Sequence, residues 1–153
     1  MTDKLLKYSK FWAIAKAVAG MSKDPTTKVG AIAIDSNMNI ICTGYNGFPR
    51  GVKDLDSRLS DRNMKLKFTP HAEQNLVAQA AYMGQSLRGS TVLVTKLHPC
   101  SNCAKSLIQA GVSTVISPPP DENERWTEEA ELAKILFYES SVEVIYEKDK
   151  AST

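Results

Sequence analysis

The sequence predicts a three-layer α/β/α sandwich around a five-stranded mixed sheet, with elements in the order α-β-β-α-β-α-β-α-β. Three observations lead there. Two neighbouring apolar runs flank a polar turn segment, as in a β-hairpin. Those runs are apolar almost without interruption, which marks strands covered on both faces. From the third strand onward, segments of helical periodicity separate short β-rich runs, which favours parallel neighbours joined by right-handed crossovers.

The elements follow in chain order. Leu5, Tyr8, Trp12, Ala15 and Ala19 recur at three-and-four spacing over residues 3–21 and give a helix one apolar face. Lys23-Asp24-Pro25 ends it, because proline has no N–H for the helical ladder. Val29 to Ile34 and Ile40 to Tyr45 form the hairpin around Asp35-Ser36-Asn37-Met38-Asn39 and supply one antiparallel pairing. Residues 46–70, rich in Gly, Pro, Asp, Arg and Lys, read as a long loop or a short helical excursion. A loop of that length inside a compact domain has a function or is partly mobile. A helix then runs from His71 to Met83, with Gly84 past its end. Thr91 to Thr95 is a strand, and Cys100 to Ala110 is a helix stopped by Gly111. Thr114 to Ser117 is a strand that Pro118-Pro119-Pro120 cannot continue. Thr127 is the expected N-cap, with Glu128 and Glu129 in the first turn, of a helix reaching Tyr138. Val142 to Tyr146 is the last strand. One domain is expected over residues 1–147, with a frayed tail over 148–153.

The bulk properties bound the function. A chain of 153 residues suits one domain with one core, and 42% hydrophobic with 24% charged residues is ordinary for a soluble globular protein. A formal charge of +2 is too small to argue for a nucleic-acid partner. No stretch approaches the ~20 apolar residues of a membrane helix, and the start MTDKLLKYSKFW lacks the apolar run of a signal peptide. Three cysteines, two of them spaced C-x-x-C, make no disulfide framework and suit a reducing, cytoplasmic location.

The chemistry concentrates in His71-Ala72-Glu73 and Pro99-Cys100-Ser101-Asn102-Cys103. His71, Cys100 and Cys103 supply three zinc ligands and leave Glu73 over. A structural zinc site is closed by four protein ligands, whereas a catalytic one keeps a position open for water. The pattern H-x-E followed by P-C-x-x-C is a signature of zinc deaminases. Both half-motifs sit where a strand or loop enters a helix. Cys100 and Cys103 at i, i+3 then share one face of a first turn, and the helix N-terminus favours thiolate over thiol. Two thiolates and an imidazole leave one zinc ion formally neutral and able to acidify water near pH 7. Glu73 is free to take a proton from that water, pass one to a ring nitrogen and hand one to a departing amine. A closed site would need Cys42 or His98 as a fourth ligand. Cys42 lies in an apparent core strand and reads as a small buried hydrophobe, and His98 stands too close to Cys100 to fold back easily. His98 fits better as a hydrogen-bonding group in the site wall. A thioredoxin-like reading of C-x-x-C would leave the H-x-E unexplained.

Further segments carry a resemblance. Lys23-Asp24-Pro25-Thr26-Thr27-Lys28-Val29-Gly30-Ala31, Gly44-Tyr45-Asn46-Gly47-Phe48-Pro49-Arg50-Gly51, His71-Ala72-Glu73-Gln74-Asn75 and Cys103-Ala104-Lys105 through Ile108-Gln109-Ala110-Gly111 resemble the deoxycytidylate deaminase family. The likeness spans residues 5–146, and Gly-Tyr-Asn-Gly-Phe-Pro is its most discriminating part. It implies a cytidine-deaminase-like fold, one catalytic Zn2+ per subunit, and hydrolysis of dCMP to dUMP and ammonia, supplying dUMP for dTTP synthesis. It further implies that Asn46 bonds the sugar 3′-hydroxyl, that the Ala72 N–H meets the pyrimidine carbonyl, and that Pro99 lines the amine side of the ring. Asn46 also reads simply as a turn residue between Tyr45 and Gly47. Some relatives are hexamers controlled by dCTP and dTTP bound near the Gly-Tyr-Asn-Gly-Phe-Pro loop. A homo-oligomer with such effectors, and with Mg2+ accompanying a nucleotide effector, is the corresponding expectation here.

The phosphate end is less defined. Lys23 and Arg50 are candidates, since cations suit phosphate oxygens, and both also read as solvated loop charges. Arg58, Arg62, Lys65 and Lys67 read as a solvated or interface segment. Many family members carry a tyrosine-containing acidic loop over the nucleotide after the position of Ile116. This chain has Ser117-Pro118-Pro119-Pro120-Asp121-Glu122-Asn123-Glu124-Arg125-Trp126 instead, where Trp126 would stack over the site or be buried at a helix start. Competing readings are a deaminase of dCTP or of tRNA adenosine, the latter calling for a basic face that this chain lacks, and a zinc-stabilised binding module without turnover.

Overall fold

The computed structural model describes residues 2–122 and 124–147, excluding the side chains of 124–126. The predicted tail and the Trp126 side chain therefore lie outside the described residues. Its five strands are β1 (Gly30–Ile34), β2 (Ile40–Tyr45), β3 (Thr91–Val94), β4 (Thr114–Ser117) and β5 (Glu143–Tyr146). They form one sheet in the order β2-β1-β3-β4-β5. The helices are α1 (Asp3–Tyr8), α2 (Trp12–Ala19), α3 (Asp56–Leu59), α4 (Arg62–Phe68), α5 (Ala72–Met83), α6 (Ser101–Gln109) and α7 (Glu124–Glu139). Among the described residues no helix is long and apolar enough to cross a membrane.

Alternation along the central strands explains the three layers. Ile32 and Ile34 of β1, Leu93 of β3 and Ile116 of β4 turn to one face, where they pack with Tyr8, Phe11, Trp12, Ala15 and Val18. Ala31, Ala33, Val92, Val94 and Val115 turn to the other, where Leu76, Leu107 and Phe137 of α5, α6 and α7 cover them. β1, β3 and β4 are buried along their whole lengths, as continuous apolar runs require, whereas β2 and β5 are the half-exposed edges.

The α/β/α sandwich and mixed sheet are as the sequence predicts, with three differences in detail. β1 is antiparallel to both β2 and β3, so the sheet has two antiparallel pairings, not one. The helix-separated strands β2 and β3 do run parallel, but the crossover through α5 passes over β1, which lies between them. The first helix is interrupted by a 3-10 turn at Ser9–Phe11, and α7 begins three residues ahead of Thr127, placing that threonine inside the helix. Segment 46–70 contains the short helices α3 and α4, the second capped by Asp61, whose side chain accepts from the Met64 N–H.

The antiparallel placement of β1 positions the site. The residues leading into β1 emerge at the same end of the sheet as those leaving β2 and β3. The segment around Asp24 to Val29, the loop at Asn46 and the loop from Thr95 to Cys100 therefore converge. A bond from the Gly30 N–H to Thr95 Oγ1 at 2.9 Å and one from the Thr95 N–H to the Gly30 carbonyl at 2.9 Å join two of them.

Candidate active site

Two helix starts meet at this end. His71 is the N-cap of α5, in extended conformation, and its N–H donates to the Gln74 side chain at 2.9 Å. Cys100 is the N-cap of α6, with Cys103 one turn in and fully buried. Pro99 is itself fully buried and keeps Leu97 to Cys100 from joining the helix early. His71 Nδ1 lies 3.5 Å from Cys100 Sγ and 3.3 Å from Cys103 Sγ. A tetrahedral ion with Zn–S of about 2.3 Å and Zn–N of about 2.0 Å holds S and N about 3.5 Å apart, so the donor set and spacing fit zinc. Among the described residues the metal-binding group has these three members only. The Cys42 thiol points instead at the Leu76 carbonyl, 3.6 Å away, as a buried core group. His98 sits in the cavity wall with Nδ1–H donating to the Pro99 carbonyl at 2.9 Å.

The cysteines share a proton before any metal arrives. A hydrogen bond from Cys103, aided by His71, pulls Cys100 down to about 4, and the same bond pushes Cys103 up. Both cysteines bind a metal as thiolates, so loading the site expels the proton they share. Glu73, in the first turn of α5, is 5% exposed, and burial raises its carboxyl above the usual range. It is a protonatable group walled off from bulk water.

In front of these groups opens a cavity of about 290 Å³. His71, Ala72, Glu73, Pro99 and Cys100 form its base, Asn46 and Val29 one side, and Asp121, Glu129 and Ala130 another. Asn46 is 8% exposed and secures the loop: its Oδ1 accepts from the Val29 N–H and its Nδ2 donates to the Thr27 carbonyl, each at 2.8 Å. An amide has two donors and two acceptor sites, so one of each is left on this residue of the cavity lining.

The two predicted phosphate cations are elsewhere. Lys23 is exposed and paired with Asp54 at 2.7 Å, outside the cavity lining. Arg50 bonds Gln79 and stacks over the Tyr82 ring at 4.0 Å on the outer side of α5. Two cations of the segment expected to be solvated or at an interface, Arg62 and Lys65, line the cavity instead. Arg62, Lys65, Leu66 and Thr69 recur at three-and-four spacing on and just past α4, and all four line the cavity. Lys65 is buried against Asp24, with 3.0 Å between Nζ and Oδ1. Burial pushes the Asp24 carboxyl up, but the N–H groups of Thr27 and Thr26 and the Lys65 ammonium outweigh it and hold the carboxyl below its ordinary value.

In the sequence Glu129 stands out only as a first-turn acid. It reaches across from α7 to accept from the Ser101 N–H at 3.1 Å and from Ser101 Oγ at 2.6 Å. That carboxylate closes the open start of the helix bearing both cysteines. Groups that orient metal ligands at one remove contribute about 10–100-fold to affinity. Glu129→Ala is therefore expected to weaken zinc binding roughly tenfold in chelator competition, with unchanged circular dichroism. Equal affinity in variant and wild type would remove this role.

Known proteins agree with the geometry. The model for the cytidine and deoxycytidylate deaminase zinc-binding region matches residues 6–117. The chain is 37% identical over 139 residues to an uncharacterized deaminase of Aliivibrio fischeri, covering 90% of each. It is 36% identical over 132 residues to human deoxycytidylate deaminase, covering 83% of this chain and 71% of the relative. The crystal structure of the dCMP deaminase from cyanophage S-TIM5 in complex with dCMP and dUMP superposes with a TM-score of 0.72 at 28% identity, covering 96% of this chain and 99% of that one. With the zinc-type donor set, the buried carboxylate and a family match over most of its length, this chain belongs to the cytidine and deoxycytidylate deaminase family of zinc-binding proteins.

Proposed function

We propose that this protein hydrolyses dCMP to dUMP and ammonia. The observation that carries the reading is the buried Glu73 carboxyl set beside three zinc-type ligands at the base of a nucleotide-sized cavity. The family match and the dCMP and dUMP held by the cyanophage relative support it.

His71, Cys100 and Cys103 would hold the zinc ion, whose Lewis acidity makes water acidic near neutral pH. Glu73 takes one proton from the attacking water at its carboxylate oxygen and delivers it to the ring nitrogen beside the attacked carbon. It then takes the second proton from the hydroxyl now on that carbon and passes it to the amine as the C–N bond breaks. Its burial keeps that proton from leaking to solvent between transfers. Ala72 opens α5, and its N–H has no partner within the helix, so it can meet the pyrimidine carbonyl. The remaining donor and acceptor of Asn46 serve a sugar hydroxyl, and the second lone pair of the Pro99 carbonyl faces the amine. The reading extends to a cytoplasmic homo-oligomer. The resemblance supports it, as do exposed Leu55, Met64, Leu66, Tyr82 and Met83 on α3, α4, α5 and their flanks. Control by dCTP and dTTP with Mg2+ rests on the resemblance alone.

The test is ammonia release from dCMP, dCTP, cytidine and a tRNA anticodon stem. Turnover of dCMP well above the others is expected. Turnover of the stem alone, or of none of the four by protein carrying one zinc per chain, overturns the reading.

A further inference from the structure

The cavity holds its charges unevenly. Arg62 and Lys65 stand on the α4 side, while Asp121 and Glu129 belong to the segment before α7 and to α7 itself. Lys65 Nζ is already directed to Asp24 Oδ1 at 3.0 Å and to Thr26 Oγ1 at 3.4 Å. An ammonium has three donors, so one remains. Asp24 cancels the Lys65 charge. Arg62, three residues earlier on the same helical face, lines the cavity and makes no ion pair or hydrogen bond among the described residues. The site therefore offers one uncompensated cation whose planar fork suits two phosphate oxygens.

Resting on the dCMP reading above, we infer that Arg62 and the spare donor of Lys65 seat the 5′-phosphate and select a nucleoside monophosphate. The Asp24–Lys65 pair locks the loop before β1 onto α4 and so fixes the distance from this seat to Asn46 and Glu73. A nucleoside gives Arg62 nothing to neutralise. A triphosphate carries further charged groups past it, and no other Lys or Arg among the described residues lines the cavity to meet them. The Glu129 carboxylate, also in the lining, adds repulsion. Lys23 and Arg50, with their own partners outside, have no part in this seat.

The experiment compares Arg62→Ala and Arg62→Lys with wild type on dCMP and deoxycytidine, and measures binding of dUMP and deoxyuridine by calorimetry. Arg62 is exposed, so its loss spares the core. For Arg62→Ala the ratio of kcat/KM for dCMP over deoxycytidine is expected to fall about 10–100-fold, mainly through KM. Arg62→Lys falls between, keeping the charge and losing the fork. Structural damage would lower both substrates alike and leave the ratio unchanged, which overturns the inference. If wild type releases no ammonia, the reaction reading falls separately. The seat then stands or falls on whether Arg62→Ala weakens dUMP relative to deoxyuridine.

Discussion

Glu73→Gln is expected to abolish ammonia release from dCMP while the protein keeps one zinc per chain and an unchanged circular dichroism spectrum. The side chain is nearly enclosed, so the isosteric amide fills the same space and leaves no void. The proposed ligands His71, Cys100 and Cys103 are untouched, and metal content should stay at parity by atomic absorption. What is lost is a group able to accept and return a proton. One such group typically supplies 10²–10⁴-fold. Here a single carboxyl is assigned every transfer, while His71 faces the thiols and His98 Nδ1 is held by the Pro99 carbonyl. The loss should therefore lie at or beyond about 10⁴-fold, the top of that range. A variant that kept zinc and retained more than a few per cent of wild-type kcat would remove Glu73 from the chemistry. A variant that lost zinc would show that the carboxylate supports the ion itself.

The base of the site was legible because its residues are tied to local grammar. An N-cap position and an i, i+3 pair on a first turn are properties of a few adjacent residues, so the convergence of His71, Cys100 and Cys103 follows once the two helix starts are placed. The cationic wall was hidden for a different reason. Both Lys23 and Lys65 have an aspartate to pair with, and only the fold decides that Asp54 draws one outward while Asp24 draws the other in. Arg62, Lys65, Leu66 and Thr69 do carry a helical spacing, but α4 has only seven residues and lies among loop-forming residues that mask the period. Asn46 shows the limit of reading one role per residue. Its two bonds to the loop before β1 satisfy the turn reading, and its spare donor and acceptor leave room for the substrate reading. The contribution of Glu129 depends on a contact between helices, for which the sequence has no periodic sign.

Gly44→Ala should be strongly damaging although it adds a single methyl group at a position that touches no substrate. Gly44 pairs with Ala31, one pair in from the open end of the hairpin. A Cβ there would stand 2.4 Å from the Leu76 nitrogen, 2.5 Å from the Ala72 carbonyl oxygen and 2.8 Å from the Leu76 Cα. All three are backbone atoms of α5, so no rotamer can relieve the clash and strand and helix must separate. Overpacking of this kind costs about 1–3 kcal/mol, and backbone-on-backbone contact places it at the upper end. For a domain of this size that lowers Tm by roughly 5–10 °C. The separation also falls where it matters for chemistry. Ala72 and Leu76 belong to the first turns of α5, the helix that carries Glu73 and is capped by His71. Lifting it shifts one ligand and the carboxylate away from Cys100 and Cys103, which ride on α6. Activity should therefore fall by more than the loss of folded protein explains, and zinc should bind more weakly at a temperature where the variant is still folded. Gly47→Ala is the control, because a Cβ there meets only the Tyr45 ring, at 3.3 Å, which can swing aside. If Gly44→Ala matched Gly47→Ala in Tm and in zinc affinity, the close approach of β2 and α5 would not be what sets the site.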